Sequence, residues 1–345
     1  MLRSASWAPI TNLQSSCNSR KETRVITTPT TFVVGAGAST DYGLPTSADL
    51  RQEAHYLQNQ NPVAYKLILA AKLCTNEQLN TVLDDLRTQG TSSIDEFMFA
   101  RQNDPLAMTA GRALIALLLG RKLVELRSPD SLGAGQTDWL GYIINRMQTG
   151  ARDCEAFVQG NTEVRFVTFN FDSIIEDRLE KAIRNLYRGA AEPRLQAAVS
   201  AVQDQVIHVH GRLPRPPDHP LPRHEFTAGH SWLDWLQSAQ SKIRVVMDQI
   251  EPEILDASRE AVKRSKILCF LGFAYAQDNL KKLGLPEVIH VGADGQWVNR
   301  NIFGTAFRMG KGEIASVNDK LAGAELGDGT ERCLGFLRDH HIFRG

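Results

Sequence analysis

The chain lacks paired cysteines. Cys17, Cys74, Cys154, Cys269 and Cys333 are scattered singly through 345 residues, and no two stand in C-x-x-C spacing. That spacing excludes a zinc ribbon and a dithiol redox motif, so no zinc is expected. An odd, scattered set suits a reducing compartment, and a cytoplasmic location is expected. Net charge is missing too, because 39 Lys and Arg balance 39 Asp and Glu. Without a general field of one sign, direct nucleic-acid binding is not expected. Nor is there a long apolar run. Pro105 to Arg127 is the most apolar helical candidate, but Arg112, Arg121 and Lys122 interrupt it well short of the roughly 20 residues a membrane span needs. It reads as a core helix, and no membrane association is expected. Residues 1–28 have no apolar h-region. They are polar, rich in Ser and Thr, and read as a flexible N-terminal arm rather than a secretory signal.

What is present centres on residues 32–46. Phe32-Val33-Val34 reads as a buried strand running into Gly35-Ala36-Gly37-Ala38-Ser39, and a helix is expected from about Ser47. Such a turn lets backbone N–H groups approach a pyrophosphate closely. The dehydrogenase fingerprint G-x-G-x-x-G is incomplete, because Thr40 occupies the place of the third glycine.

Further along, residues 48–149 read as a mostly helical block, too long for a single crossover. Ser93 and Glu96 form a capping-box pattern there, and Pro105 marks a helix start. Ser128 to Gln136 reads as a loop. The α/β pattern resumes at Val164 to Phe169, a strand leading into Asn170-Phe171-Asp172. A second strand, Gln205 to Gly211, carries His208 and His210, which strand alternation would put on one side. A proline-rich loop follows from Pro214 to Pro222, then an irregular aromatic segment with Phe226, Trp232 and Trp235. A helical region is expected from about Ser238 to Arg264, broken near Pro252. Ile267 to Phe273 is apolar throughout, as in a central parallel strand. Val288 to Gly292 reads as one more strand, and helical patterns occupy Ile314 to Leu321 and Cys333 to Phe343. The expected architecture is α/β, a Rossmann-like parallel sheet with helices on both faces. Residues 29–345 form the folded domain, with a large helical insertion at about 50–150.

Ligands bind outside the carboxyl ends of strands in an open parallel sheet. The ends at Gly35 to Ser39, Asn170 to Asp172, His210-Gly211, and Gly272-Phe273 with Asp278 beyond are therefore expected to converge. Asn170, Asp172 and Asp278 also suit simple helix capping, and His210 suits a structural role. The bare Gly211 beside His210 would make room for a ligand.

Taken together these ends resemble the sirtuin-like superfamily, in particular its branch of bacterial anti-phage NAD-consuming effectors. The likeness runs in order over about residues 31–325 through Gly35 to Ser39 with Gly43-Leu44-Pro45, Thr168 to Asp172, His210-Gly211, and Leu271-Gly272-Phe273 with Asp278. Ser93 to Phe97 and Gly304 to Phe307 resemble two further phrases of that branch. Sirtuin deacylases carry a four-cysteine zinc module, which this chain lacks. Where they clamp a peptide through main-chain pairing, this chain has Pro214-Arg215-Pro216-Pro217, with donors removed. The resemblance thus implies a site for NAD+ as substrate, no retained cofactor, and no protein deacetylation. It implies that Asn170 holds the ribose or the attacking water, that His210 acts as a base titrating near neutral pH, and that Asp172 orients the nicotinamide amide or stabilises positive charge. Gly35, Ala36, Gly37 and Ser39 would cradle the pyrophosphate through their amides, within an NAD-binding stretch that also includes Ala38, Asp41, Gly43 and Thr46. Gly272 and Asp278 would lie near the adenosine. The implied activity is hydrolysis of NAD+ in abortive anti-phage defence, held latent until a separate sensor or regulatory subunit or an oligomeric assembly releases it. The basic arm and the stretch from Pro214 to Trp235 are the expected docking surfaces. An ADP-ribosyltransferase and a non-catalytic sensor of NAD or ADP-ribose are the alternatives.

Overall fold

A computed structural model of the chain describes residues 26, 28–126, 137–221, 230–245, 248–321, 323–340 and 342–343. Nearly all of the N-terminal arm, the loop expected at Ser128 to Gln136, and Phe226 lie outside the described residues. Among the described residues six strands form one all-parallel sheet: β1 (Thr30–Val34), β2 (Val164–Thr168), β3 (Val206–His208), β4 (Ile267–Leu271), β5 (Asn301–Gly304) and β6 (Glu325–Leu326). Their order is β3-β2-β1-β4-β5-β6. This is the doubly wound, Rossmann-like arrangement, whose strand order reverses between β1 and β4 and opens a crevice there.

β1 sits at the centre. Val34 is level with Thr168 of β2 on one side and Leu271 of β4 on the other. All five residues of β1 and all five of β4 are buried, which is why Phe32 to Val34 and Ile267 to Leu271 read as apolar runs without a polar face; buried Thr31 donates to the Ala261 carbonyl at 2.8 Å. Successive side chains still alternate between two cores. Phe32, Val34, Phe166, Cys269 and Leu271 face one, and Val33, Val167, Leu268 and Phe270 face the other.

The helices between β1 and β2 gather on the Phe32 face. They are α1 (Ala36–Ser39), a 3₁₀ turn over Thr40–Tyr42, α2 (Ser47–His55), α3 (Leu57–Gln60), α4 (Pro62–Ala70), α5 (Asn76–Thr88), α6 (Ile94–Ala100), α7 (Pro105–Glu125), α8 (Trp139–Met147) and α9 (Cys154–Gly160). α7 starts with Pro105 at its first position, and the Asp104 carboxylate caps the Leu106 and Ala107 amides. At α6, Ser93 accepts from the Glu96 amide. The Glu96 carboxylate reaches one residue past the expected partner, to Ser92. α10 (Ile174–Leu186) and α11 (Glu192–Gln203) connect β2 to β3. The region after β3 holds α12 (His230–Lys242) and α13 (Pro252–Arg264), with the expected break before Pro252. Trp232 and Trp235 belong to α12 and are buried, the latter donating to the Pro214 carbonyl; the irregular aromatic segment expected there is a packed helix. α14 (Gln277–Lys282), α15 (Lys311–Lys320) and α16 (Cys333–Asp339) complete the chain, with α13, α14 and α15 covering the second core.

The strand expected at Val288 to Gly292 does not form. That segment is a series of turns in which Val291 makes one isolated antiparallel bridge to Trp297. Buried Arg300 holds it instead. Its guanidinium donates to the carbonyls of Ser265 at 2.8 Å, Lys263 at 2.9 Å, Val288 at 2.9 Å, Val291 at 3.3 Å, and also Ile289. One side chain thus satisfies carbonyls that a ladder would otherwise have used. The strand next to β4 is β5, shorter and later in the chain. None of the described helices is long and apolar enough to cross a membrane.

Candidate functional site

The carboxyl ends of β1, β2 and β4 and the turn after β3 open onto one cleft of about 890 Å³. Its walls include Gly35, Gly37 and Ser39 from the first turn, Asn170 and Asp172 from the second, and His210 and Gly272 from the others. Ala36, Asp41 and Thr46 line it as well, whereas Ala38, Gly43 and Asp278 do not. Ala38 is turned into the core, and its carbonyl accepts from the Trp139 indole at 2.9 Å. Gly43 closes the 3₁₀ turn with a left-handed φ of 86° and donates to the Thr40 carbonyl. Asp278 is an exposed first-turn residue of α14, 3.9 Å from Lys281. It belongs to the helix end and not to the cleft; its neighbour Asn279 lines the wall instead.

The glycines have a reason different from ligand approach. A Cβ on Gly35 would lie 2.6 Å from the Gly272 carbonyl oxygen, and one on Gly37 would lie 2.9 Å from it. Gly272 has φ +56°, and a Cβ there would meet the Ala38 nitrogen at 1.9 Å. The two turns are therefore packed backbone against backbone. The Gly35 amide donates to the Leu271 carbonyl, the Gly37 amide to the Gly272 carbonyl, and the Ala38 amide to the Gly35 carbonyl. A phosphate cradle made from the amides of Gly35, Ala36, Gly37 and Ser39 is thinned accordingly, since Gly35 and Gly37 are committed. Ala36, at the first position of α1, is placed to offer its amide.

Asn170 does not cap α10. Its Nδ2 donates to the Gly35 carbonyl at 3.1 Å and to Ser39 Oγ at 2.9 Å. Ser39 Oγ in turn donates to Asp172 Oδ2 at 2.8 Å, and Asp172 Oδ1 accepts from the Ile174 amide at 3.1 Å. Asp172 thus steadies the start of α10, the capping role open to it in sequence, and anchors Ser39 as well. Burial pushes its carboxyl above the ordinary value, with Ser39 and the Ile174 amide working against the shift.

The two histidines separate. β3 ends at His208, so the alternation that would put His210 beside it stops there. His208 stands behind the cleft, with Nδ1 3.1 Å from the Asn170 carbonyl and Nε2 2.7 Å from Glu176 Oε1. Arg212 donates to the same carboxylate at 2.8 Å. Burial pushes Glu176 up, but His208 and Arg212 together outweigh it and hold the carboxyl below its usual value. His210 lies in the turn, edge-on to Phe169 with ring centroids 5.2 Å apart. Gly211 beside it has φ +82°, and a Cβ there would meet the Lys242 carbonyl at 2.3 Å, so it makes room for backbone and not for a ligand.

His210 is no neutral-pH titrator. Burial, with the adjacent Lys282 cation adding to it, pushes the imidazole down to about 3. Lys282 Nζ lies 2.9 Å from His210 Nε2. No sequence pattern pointed to Lys282, which lies 72 positions from His210 beside another lysine on α14.

The helical block supplies the opposite wall, through Ser93 and Asp95 of the α6 start and Ile115 and Leu119 of α7. At the far end, Asp41 is buried and accepts from Arg332 at 2.8 Å, while its second oxygen has no partner among the described residues. Burial raises Asp41 and Arg332 opposes the shift. Arg332 lies over the Phe307 ring, 4.8 Å from its centroid. Thr305, just past β5, accepts from the Gly272 amide at 2.8 Å. Placing the neighbouring strand at Val288 to Gly292 hid Thr305 as a strand-end residue; an α/β reading centred on Asn301 to Gly304 would have found it. No protein-family model matches the chain, and no match was found among curated proteins.

Proposed function

We propose that the chain cleaves the bond between nicotinamide and ribose in NAD+, with water as acceptor, releasing nicotinamide and ADP-ribose. The observation that carries this reading is the hydrogen-bonded chain Asn170–Ser39–Asp172, which ties the end of β2 to the turn after β1 in the same cleft as His210. A dinucleotide laid across the crevice beside β1 would bring its reacting ribose to these groups. Nicotinamide leaves as a neutral ring from a cationic one, so no general acid is required. The site must hold the ribose, favour an oxocarbenium-like transition state and place a water. Asn170 retains an amide oxygen for a ribose hydroxyl or the water, since its nitrogen is already spent on Gly35 and Ser39. Asp172 supplies negative charge beneath the developing cation. His210 offers the proton-accepting nitrogen.

In this reading NAD+ is a substrate and no cofactor is retained. The chain serves anti-phage defence by depleting NAD+, and a separate sensing protein or a higher assembly restrains it. Trp232 and Trp235 are excluded as docking residues because they are buried. The test is nicotinamide release from NAD+ by the wild-type chain and by Asn170→Ala, with and without lysate of phage-infected cells. Mass spectrometry then separates free ADP-ribose from an ADP-ribosylated acceptor. Equal release by both proteins removes Asn170 from the chemistry, and a mass gain on a macromolecule replaces hydrolysis by transfer.

A further inference from the structure

An imidazole held down to about 3 is by itself a weak base, and Lys282 stands in direct contact with it. Nε2 of His210 faces Lys282 Nζ at 2.9 Å, and Nδ1 has no hydrogen-bond partner among the described residues. Phe169 and Phe171 lie against the ring, and the Arg244 amide donates to the His210 carbonyl while its guanidinium pairs with Glu251. Three acids face Lys282: Asp95 from α6, Asp248 from the segment before α13, and Asp278 from its own helix. Each also has another partner: Ser47 for Asp95, Arg112 for Asp248 and Lys281 for Asp278.

We propose that His210 and Lys282 form one proton-accepting unit, with Lys282 as a positioning residue that sets the tautomer and the basicity of His210. The inference rests on the NAD+-cleaving reading for its use, but the unit itself is a property of the free protein. In its protonated form the Lys282 ammonium donates to Nε2, and the neutral imidazole carries its proton on Nδ1. Loss of one proton gives a form in which Nε2–H donates to the Lys282 amine and Nδ1 carries the lone pair. When Nδ1 then takes a proton from water or a ribose hydroxyl, Nε2 passes its own proton to Nζ and the first form returns. One proton enters, one shifts within the pair, and the positive charge comes to rest on lysine. The titration belongs to the pair and not to either residue. Burial lowers Lys282 from its ordinary value against the pull of the three acids, which brings its basicity toward the working range of a general base.

The experiment is ¹⁵N NMR of the labelled imidazoles in the full-length chain, from acid to alkaline pH, for wild type, Lys282→Met and Lys282→Arg. Wild-type His210 should be a neutral Nδ1–H tautomer that converts to Nε2–H in one titration. Lys282→Met should lack that conversion, and Lys282→Arg should stay Nδ1–H throughout. Nicotinamide release should rise with pH through the same titration in wild type. Both variants should lose that limb, with rates lower by about a hundredfold or more. A wild-type ring that behaves like that of Lys282→Met overturns the unit, whatever the activity. If the tautomer switch is present and no protein releases nicotinamide, the unit stands and the NAD+ reading falls.

Discussion

The Gly37 amide donates to the Gly272 carbonyl at 3.0 Å, locking the turn after β1 to the turn after β4. Since Gly272 also has a left-handed φ and no space for a Cβ, Gly272→Ala strains the backbone and separates the turns together. We expect it to cost roughly 3 kcal/mol in chemical denaturation. A loss under about 1 kcal/mol would show that the turns part without penalty.

Asn170→Ala removes two hydrogen bonds that hold the Gly35–Ser39 turn as well as the group assigned to the ribose. The expected stability loss is about 1–2 kcal/mol, too small to unfold a chain of this size. Nicotinamide release should fall at least about a hundredfold in the still-folded protein. Circular dichroism beside the activity assay separates the two effects, and a variant that is folded and fully active would refute the assignment.

Acid should weaken the fold through His210. Its folded pKa of about 3 lies below the ordinary 6.5, so as pH falls the unfolded chain takes up the proton first and the native state loses stability below about 6.5. Glu176, whose folded pKa is depressed from 4.5, contributes stability above that value and loses it further down, as pH falls through its folded pKa. His340 has the opposite histidine sign. Burial opposes its protonation, but Glu325 and Glu331 win, so its contribution is complete below 6.5 and lost as pH rises through its raised pKa. Between 6.5 and 4.5, unfolding free energy should fall less steeply in His210→Gln than in wild type. Parallel slopes would show that the buried imidazole is not held neutral.

Arg300→Met should expose the carbonyls of the segment before β5. We expect a loss of about 3 kcal/mol or more, because several buried acceptors are orphaned at once. Hydrogen exchange is the direct readout: residues 285–298 should lose protection while β1 keeps it. Unchanged exchange in that segment would mean that the guanidinium is dispensable.

The sheet's centre was legible because burial on both faces leaves an unmistakable mark, as in Phe32 to Val34 and Ile267 to Leu271. Its edge was not. Asn301 to Gly304 offers only Ile302 and Phe303 as apolar residues, and the more hydrophobic Val288 to Val291 outcompetes it in any local reading. What decides the matter is Arg300, a residue that looks like surface and works as a buried clamp. The site divides in the same way. Asn170, Asp172, His210 and the first turn share the strand-end position, which periodicity reveals. Lys282 and Arg332 reach their partners only through tertiary packing, and neither carries a local pattern that separates it from a solvated cation. At Gly35, Gly37 and Gly272 the close neighbour is the chain itself, a contact across distant turns that no local pattern announces.

β1 is hydrogen-bonded along both edges and closed off from water on both faces. Amides so placed exchange with solvent only when the whole domain opens, so Phe32 to Val34 should be among the slowest in the molecule. The first turn hangs directly from that strand and shares its immobility. If a partner switches this site on, the motion has to come from the other wall, where α6 and α7 present Asp95 and Leu119 across the cleft.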